Sequence, residues 1–283
     1  MNRPHVIVVG KRTAYRRFVE DEGDPRARAL IQKKDPSVAS WLASHKEHSR
    51  TMEEVERVLE RVGAKALFLQ RAHAAFDTSD AALVIAVGGV PILGVNSAPS
   101  HSVGFFCAAQ RSNFERHLER ALEGKLKSVR LTRMSVSLNG RMRSKRVLNE
   151  ALYCHSSPAA TSRYILHVGR KHEEQRSSGI WVGPAAGSTA AQHSAGGRVL
   201  PLSSDQLQLV VREPYSPYGK FNLLKLVVGK SDKVSVQSKM DDAALYLDGP
   251  HRTVSVRLGD VVSFGVSDEP LTVLGLTRRK ARS

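Results

Sequence analysis

Cysteines, aromatic residues and long apolar runs are all scarce in this 283-residue sequence. The two cysteines, Cys107 and Cys154, are too few for a disulfide framework and too far apart for a metal-binding pair, so a reducing compartment is expected. No apolar run approaches the roughly 20 residues that a membrane helix needs. The first strand pattern begins at His5, which leaves no room for a signal or transit peptide. These absences predict a cytoplasmic protein that does not enter the membrane.

Positive charge is in large excess. Lys and Arg number 43 against 27 Asp and Glu, which gives a formal net charge of +16. Such a surface favours a polyanionic partner, either nucleic acid or a small ligand rich in phosphate, although a generally basic surface would give the same count. Aromatic residues make up only 6% and do not alternate with the basic ones, so a stacking platform for single strands is not indicated. Small phosphate-bearing ligands are therefore favoured over nucleic acid.

The first 125 residues alternate between strand and helix patterns. The continuous apolar run His5–Gly10 is typical of a buried parallel strand. Residues 51–61 predict a helix, with Thr51 and Glu54 as its capping box and Gly63 as its end. Further strands are predicted over residues 64–69, 81–89 and 91–96, and a second helix over residues 113–123. This alternation predicts an α/β nucleotide-binding domain with a parallel sheet over residues 1–125.

From about residue 126, short strand patterns follow one another without helices between them. This texture predicts an antiparallel β-rich domain over residues 126–260, with residues 261–283 as a possible return to the first domain. Residues 176–197 are rich in Gly, Ser and Ala and are expected to form a ligand-facing loop. The predicted strands cover residues 129–138, 151–153, 164–168, 207–211, 223–228, 233–236, 244–247 and 254–258.

The third and fourth strand patterns pose a geometric problem. Both are apolar throughout, as central parallel strands are, yet only Gly88, Gly89 and Val90 separate them. Parallel neighbours need a crossover of about a dozen or more residues. The two runs therefore form one bent strand or an antiparallel hairpin, or else a βα segment is absent; we favour the absent segment. It would begin at Gly88 and Gly89, where a glycine turn before a helix normally binds phosphate in α/β folds.

Several short motifs, taken in order, resemble the NAD kinase family, and the resemblance spans nearly the whole chain. It lies nearest the divergent mitochondrial-type branch, on the evidence of residues 96–106 and 212–214. One such motif would carry little weight, but six in order with compatible spacing are specific. The motifs occupy residues 5–15, 81–96, 148–150, 177–179, 187–190 and 247–249, followed by the closing stretch 262–271.

The resemblance implies an enzyme that transfers the γ-phosphoryl group of ATP, or of polyphosphate in some members, to the adenosine 2′-hydroxyl of NAD. The product is NADP, a divalent metal such as Mg²⁺ assists, and a homo-oligomer, dimer or tetramer, is implied. Asn149 and Glu150 would contact the ribose hydroxyls and amide groups of NAD, as an amide beside a carboxylate can. Asp248 and Gly249 are expected to form a hairpin turn. The implied nucleotide-binding residues are Gly88, Gly89, Asn96, Asn149, Glu150, Gly187, Ser188, Thr189 and Ala190.

The sequence departs from the family at the catalytic segment. The family motif GGDGT is reduced to Gly88 and Gly89, so its aspartate and the following helix are missing, and neither a catalytic residue nor a metal ligand is assigned. The aromatic residue that usually closes the glycine–serine loop is Ala191 here. Four interpretations stay open: an NAD kinase lacking an internal segment, a non-catalytic dinucleotide-binding relative, an enzyme like the lipid and diglyceride kinases, and a basic nucleic-acid-binding protein.

Overall fold

The computed structural model describes residues 5–70, 83–86, 91–216 and 221–276. The chain divides into two compact units. Unit 1 comprises residues 1–129 and 272–283, and unit 2 comprises residues 130–271. The sequence placed the boundary near residue 125 and a possible return at residue 261, whereas the structure places the return at residue 272. Within the described ranges, no helix is both long and apolar enough to cross a membrane.

Unit 1 is built on a mixed sheet in which β1 lies between β2 and β3. In the described residues the strand order is β2-β1-β3-β4-β19-β6, with β5 beside β4. The pairs β1/β2, β4/β5 and β4/β19 are parallel, so the predicted parallel character of the sheet is confirmed. The elements are β1 (His5–Gly10), α1 (Pro25–Gln32), α2 (Trp41–Arg61), β2 (Lys65–Gln70), β3 (Leu83–Ala86), β4 (Ile92–Asn96), β5 (Ala109–Gln110), α3 (Phe114–Leu122), β6 (Ser128–Leu131) and β19 (Leu271–Leu274).

Helix α2 is longer than the sequence predicts. It begins at Trp41 rather than Thr51, so the proposed capping box is wrong. Thr51 is buried in the middle of the helix, where its hydroxyl donates to the carbonyl oxygens of Glu47 and Ser97, each at 3.0 Å. The predicted end is correct, because Gly63 adopts a φ of +68°, which glycine tolerates best. The apolar side of α2 packs on the sheet through Val55, Val58 and Leu59.

Strand β3 corrects the expectation of a parallel third strand. It runs antiparallel to both of its neighbours, with Ile85 opposite Val8 of β1 and opposite Leu93 of β4. The geometric reason given for an absent segment, that two parallel strands need a crossover, is therefore wrong, because antiparallel neighbours can be joined by a few residues. Gly88 and Gly89 lie outside the described residues. The absence of a βα segment stays a prediction.

Unit 2 contains two antiparallel sheets that share one apolar core, which confirms the predicted β-rich fold. As far as the structure describes them, their orders are β11-β10-β15-β18-β7-β8 and β14-β13-β12-β9-β16-β17. Tyr153 and Tyr164 meet edge to face at 5.7 Å in this core. The strands are β7 (Met134–Leu138), β8 (Arg141–Val147), β9 (Ala151–His155), β10 (Ser162–Val168), β11 (Lys171–Ser177), β12 (Gly179–Pro184), β13 (Leu207–Arg212), β14 (Lys225–Val228), β15 (Val234–Ser238), β16 (Ala243–Leu247), β17 (Thr253–Val256) and β18 (Val261–Val266).

Two local predictions in unit 2 are wrong. The stretch 176–197 is not one loop, because it contains the buried strand β12, a 3₁₀ turn at Ala185–Gly187 and the short helix α4 (Ala191–Ser194). The predicted strand over residues 129–138 is divided into β6 and β7. The division falls at Arg133, whose guanidinium donates to the carbonyl oxygens of Glu269 at 2.6 Å and Pro270 at 3.3 Å.

Leu118→Ala should destabilise unit 1 by about 2–5 kcal/mol, because it leaves a cavity in the core. Leu118 is 1% exposed on α3, whereas Leu122 on the same helix is 39% exposed. Leu122→Ala is therefore the matched control and should change the unfolding free energy by about 0.5 kcal/mol or less. Urea unfolding of both variants measures the difference. Equal losses would contradict the packing of α3.

Candidate functional site

The turn that contains Asn149 and Glu150 is held by Asp248, which follows the neighbouring strand β16. The Asp248 carboxylate accepts hydrogen bonds from the backbone N–H groups of Leu148 at 3.0 Å and Asn149 at 2.7 Å. The backbone N–H of Asp248 in turn donates to the carbonyl oxygen of Glu150 at 2.9 Å. Asp248 and Gly249, with φ of +50° and +101°, lie in the connection between the paired strands β16 and β17, as the sequence predicted. That connection therefore also holds the Asn149–Glu150 backbone.

The glycine loop after β12 packs on the backbone of the same turn. A methyl group added to Gly187 would overlap the carbonyl group of Asn149, and one added to Gly183 would overlap the same oxygen and the amide of Gln192. Neither glycine has a positive φ, so the requirement is for space rather than for an unusual backbone conformation. Gly187 and Asn149, which are far apart in sequence, are in this way brought into direct contact.

The remaining residues of the glycine loop differ in their surroundings. Ser188 is fully buried, and its hydroxyl donates to Ala185 O at 2.7 Å and accepts from the N–H of Leu200 at 2.9 Å. Thr189 and Ala190 are exposed. The structure thus brings Asn149, Glu150, Gly187 and Ser188 together. The Ser188 hydroxyl bonds to the loop itself, and Thr189 and Ala190 face the solvent.

Two buried glutamines that the sequence analysis missed support this turn. The Nε2 of Gln192 lies 3.4 Å from Asn149 O, and its Oε1 accepts from Gln208 Nε2 at 3.1 Å. Gln208 Oε1 accepts from the N–H of Arg198 at 2.6 Å. Both side chains are fully enclosed, and a buried amide needs such partners. The signal available in the sequence was Gln208, a polar residue within the apolar strand β13.

Asn149 and Glu150 supply the polar side chains of this turn. Both are half-buried, and the Oε2 atom of Glu150 is enclosed. An amide can donate and accept at once, and a carboxylate accepts from hydroxyl groups. Because their backbones are fixed by Asp248 and Gly187, the two side chains start from defined positions. This arrangement suits recognition of a polyhydroxylated ligand such as a ribose.

Of the predicted site residues in unit 1, Asn96 lies within the described ranges. It ends β4, and its side chain is turned to its own loop: Nδ2 donates to Ser102 O at 2.9 Å and Oδ1 accepts from the N–H of Ala98 at 3.2 Å. Gly104, with a φ of +58°, packs so closely on the Asn96 side chain that a methyl group would overlap it. Asn96 therefore shapes the loop that follows β4. Gly88 and Gly89, the other predicted residues of unit 1, are not among the described residues.

A buried histidine holds the start of the same loop. His48 Nδ1 lies 2.8 Å from the hydroxyl of Ser97. Burial, with the nearby charges of Lys11, His45 and Arg16, lowers the pKa of His48 to about 4. The imidazole is therefore neutral at physiological pH, and the edge of unit 1 around it is rich in positive charge.

A metal was implied by the resemblance, and the described residues do not form a metal cage. Among them, no group of three or more His, Cys, Asp and Glu side chains could hold an ion. Mg²⁺ usually keeps several waters and is bound through one or two carboxylates together with substrate phosphates. No residue described here is assigned to the metal.

Gly187→Ala should disrupt the site, because its methyl group has no room beside Asn149 O. We expect weaker binding of NAD, the ligand that the resemblance implies, in titration calorimetry and a lower melting temperature. Gly229→Ala is the matched control in unit 2, since its nearest neighbour is Asp232 Oδ2 at 3.5 Å. Unchanged NAD binding by the Gly187 variant would contradict the site.

Acid should destabilise unit 1 through His48. Its pKa of about 4 in the folded protein lies below the ordinary 6.5, so the unfolded chain takes up the proton first. The neutral, buried imidazole of His48 therefore contributes fully to the free energy of unfolding above pH 6.5. This contribution, about 3 kcal/mol in total, is lost as the pH falls towards 4. Urea unfolding across this pH range should show that acid lowers the unfolding free energy of the His48→Gln variant less than that of the unmodified protein. Parallel pH profiles for the two proteins would refute the assignment.

Two curated plant relatives match most of the chain, although no family model matches it. A probable NADH kinase from Oryza sativa subsp. japonica is 34% identical over 274 residues, covering 84% of each chain. The NADH kinase of Arabidopsis thaliana is 32% identical over 295 residues, covering 90% of each.

Two solved structures share the fold. The crystal structure of an NAD kinase from Archaeoglobus fulgidus in complex with ATP has a TM-score of 0.59 at 21% identity, covering 78% of this chain and 88% of that one. Yeast NADH kinase complexed with NADH has a TM-score of 0.55 at 14% identity, covering 61% and 51%. On the strength of the two plant relatives, whose similarity extends over both units, the chain belongs to the NAD kinase family.

Proposed function

We propose that this protein binds NAD or NADH at the turn formed by Asn149 and Glu150. With a complete catalytic segment, it transfers the γ-phosphoryl group of ATP to the adenosine 2′-hydroxyl and yields NADP or NADPH. The observation that carries the proposal is the contact of Gly187 with the backbone of Asn149, because it joins the two family motifs into one site. Glu150 accepts a hydrogen bond from a ribose hydroxyl, and Asn149 binds amide groups.

The reduced dinucleotide is the favoured acceptor. Both plant relatives above 30% identity bear the name NADH kinase, while archaeal relatives such as that of Methanocorpusculum labreanum, 31% identical over 161 residues, are named NAD kinase. ATP is the favoured donor, since the Archaeoglobus fulgidus structure contains it. Mg²⁺ would neutralise the donor phosphates. A cytoplasmic location and a homo-oligomer stay predictions.

We also propose that a βα segment is absent after Gly89, and an uncovered sheet face supports this. Ile7 of β1 pairs with Leu67 of β2, and their side chains share one face with Leu69. These three side chains are 37%, 55% and 40% exposed, although sheets of parallel strands in α/β proteins normally have both faces covered. A crossover helix packed on this face would bury them.

The length of the alignments also supports an absent segment. The alignment with the rice relative extends over 274 positions but uses only 84% of the 283 residues of this chain. Some aligned positions therefore have no counterpart here, and the alignment with the Arabidopsis relative, 295 positions over 90% of the chain, has the same property.

The missing aspartate bears directly on activity. Loss of a general base costs about 10²–10⁴-fold in rate. Loss of the turn that positions the donor phosphates adds to this cost, because phosphoryl transfer depends mainly on positioning and charge neutralisation. The 283-residue chain should therefore bind the dinucleotide and turn it over very slowly.

Inserting the corresponding segment of the rice relative between Gly89 and Val90 should raise NADPH formation by at least about 10³-fold. An insert of equal length made of glycine and serine is the control and should leave the rate low. Equal activity of the unmodified chain and the restored chain would contradict the absent segment. Phosphorylation of diglyceride in place of NADH would contradict the NAD kinase assignment.

Glu150→Gln should weaken NADH binding about 10-fold or more, because it removes the charged acceptor for a ribose hydroxyl. Titration calorimetry on the 283-residue chain measures this without requiring turnover. Glu119→Gln, at an exposed position of α3, makes the same charge change and should leave affinity unaltered. Equal affinities for the Glu150 variant and the unmodified protein would remove Glu150 from the site.

A further inference from the structure

Two histidines face each other on the hairpin that β10 and β11 form in unit 2. His167 of β10 lies directly opposite His172 of β11. The strands are joined by Gly169 and Arg170 alone, and Gly169 has a φ of +60°, as a two-residue turn with glycine in first place requires. Because such a turn fixes the register, both side chains are held on the same face of the sheet. The hairpin itself therefore sets the two imidazoles opposite each other.

The position of this pair in the ladder brings the two rings close. Hydrogen-bonded and non-hydrogen-bonded pairs alternate along antiparallel strands, and the side chains of the second kind are closer. The pair that closes a two-residue turn, here Val168 with Lys171, is of the first kind, so His167 with His172 is of the second. The ring centroids are 5.8 Å apart and the ring planes are tilted by 31°. A tetrahedral ion bound to one nitrogen of each ring would place the centroids about 5 Å apart, so small rotations of the side chains suffice.

Neither imidazole is engaged by another polar group. Within the part of the chain that the structure describes, His167 and His172 make no hydrogen bond and no ion pair. The buried His48, by contrast, bonds to the hydroxyl of Ser97. His167 is half-buried and His172 is exposed. An ion in the solvent can therefore reach ring nitrogens that nothing else in these ranges uses.

The two imidazoles are the whole set of protein ligands at this place. Glu174 lies two residues after His172 on the same face of β11, but its carboxylate pairs with Lys239. Among the described residues, no group of three or more His, Cys, Asp and Glu side chains could hold an ion. Two positions of a tetrahedral ion are therefore left to water.

The charge around the pair disfavours an ion that is held by attraction alone. Arg170 lies in the turn, and the carbonyl oxygen of Lys233 accepts from the N–H of Gly169 at 2.9 Å, so two basic residues adjoin the hairpin tip. Mg²⁺ takes oxygen ligands, whereas imidazole suits Zn²⁺, Cu²⁺ and Ni²⁺. An ion at this place must be held by bonds to nitrogen. The site therefore differs in chemistry from one for the Mg²⁺ that would accompany the phosphate donor.

We propose that His167 and His172 together bind Zn²⁺ through one nitrogen of each imidazole. In the described residues β11 is the edge strand of its sheet, next to β10. The ion therefore clips the edge strand to its neighbour and stabilises the folded protein, because it binds the folded hairpin in preference to the unfolded chain. The proposal rests neither on the kinase activity nor on the site around Asn149 and Glu150.

Titration calorimetry of the untagged 283-residue chain with ZnCl₂ tests the pair. His167→Gln and His172→Gln should each weaken binding at least about tenfold, because a single imidazole cannot chelate the ion. The variant with both changes should bind no more weakly than either single variant, since the two ligands act as a unit. The matched control combines His193→Gln and His251→Gln, which removes two exposed histidines of unit 2 and should leave the affinity unaltered.

Melting curves supply a second measurement. Zn²⁺ should raise the melting temperature of the unmodified protein and of the control, but not that of either single variant, and Mg²⁺ at the same concentration should have no such effect. Without metal, all variants should melt with the unmodified protein. Losses that add up in the double variant, equal losses in the control, or no Zn²⁺ binding by the unmodified protein would overturn the proposal. Its failure would leave the NADH titrations of the Glu150 variant unaffected, so the two proposals are tested separately.

Discussion

Direct contact between backbone segments is the constraint on which the candidate site depends. Gly187 can reach the carbonyl group of Asn149 only because it has no side chain. Asp248 then holds the N–H groups on the other side of the same turn. The backbone that bears the side chains of Asn149 and Glu150 is therefore held by two segments that are distant in sequence, one around Gly187 and one around Asp248. A site of this kind is preorganised before a ligand arrives, which lowers the entropic cost of binding.

The direction of β3 determines whether the sheet of unit 1 needs a crossover helix beside it. An antiparallel strand between β1 and β4 needs no crossover helix, and the side chains of Ile7 and Leu67 on one face of the sheet are exposed. A parallel strand in that place would bring a helix to cover this face. The absent segment that we propose would account both for the missing aspartate and for the exposed apolar side chains. One segment would supply both the phosphate-binding turn and the cover.

Much of the fold could be predicted from local sequence patterns. The first strand, His5–Gly10, has the predicted bounds, and Gly63 correctly marks the end of α2. The beginning of α2 was misplaced because a Thr followed by Glu at the third position imitates a cap, whereas Thr51 is buried by tertiary contacts with Ser97. The role of Asp248 could not be predicted, since it depends on the pairing of β16 with β9, which no local pattern reveals.

The path of the chain between the two units has a consequence for biosynthesis. Unit 2 is continuous in sequence, whereas unit 1 is completed only by residues after 271. Strand β4 receives its parallel neighbour β19 when Val273 comes to lie opposite Ile92. On a translating ribosome, all residues of unit 2 are made before that strand is available. Unit 2 can therefore fold first, whereas the sheet of unit 1 is completed only after β19 has been synthesised.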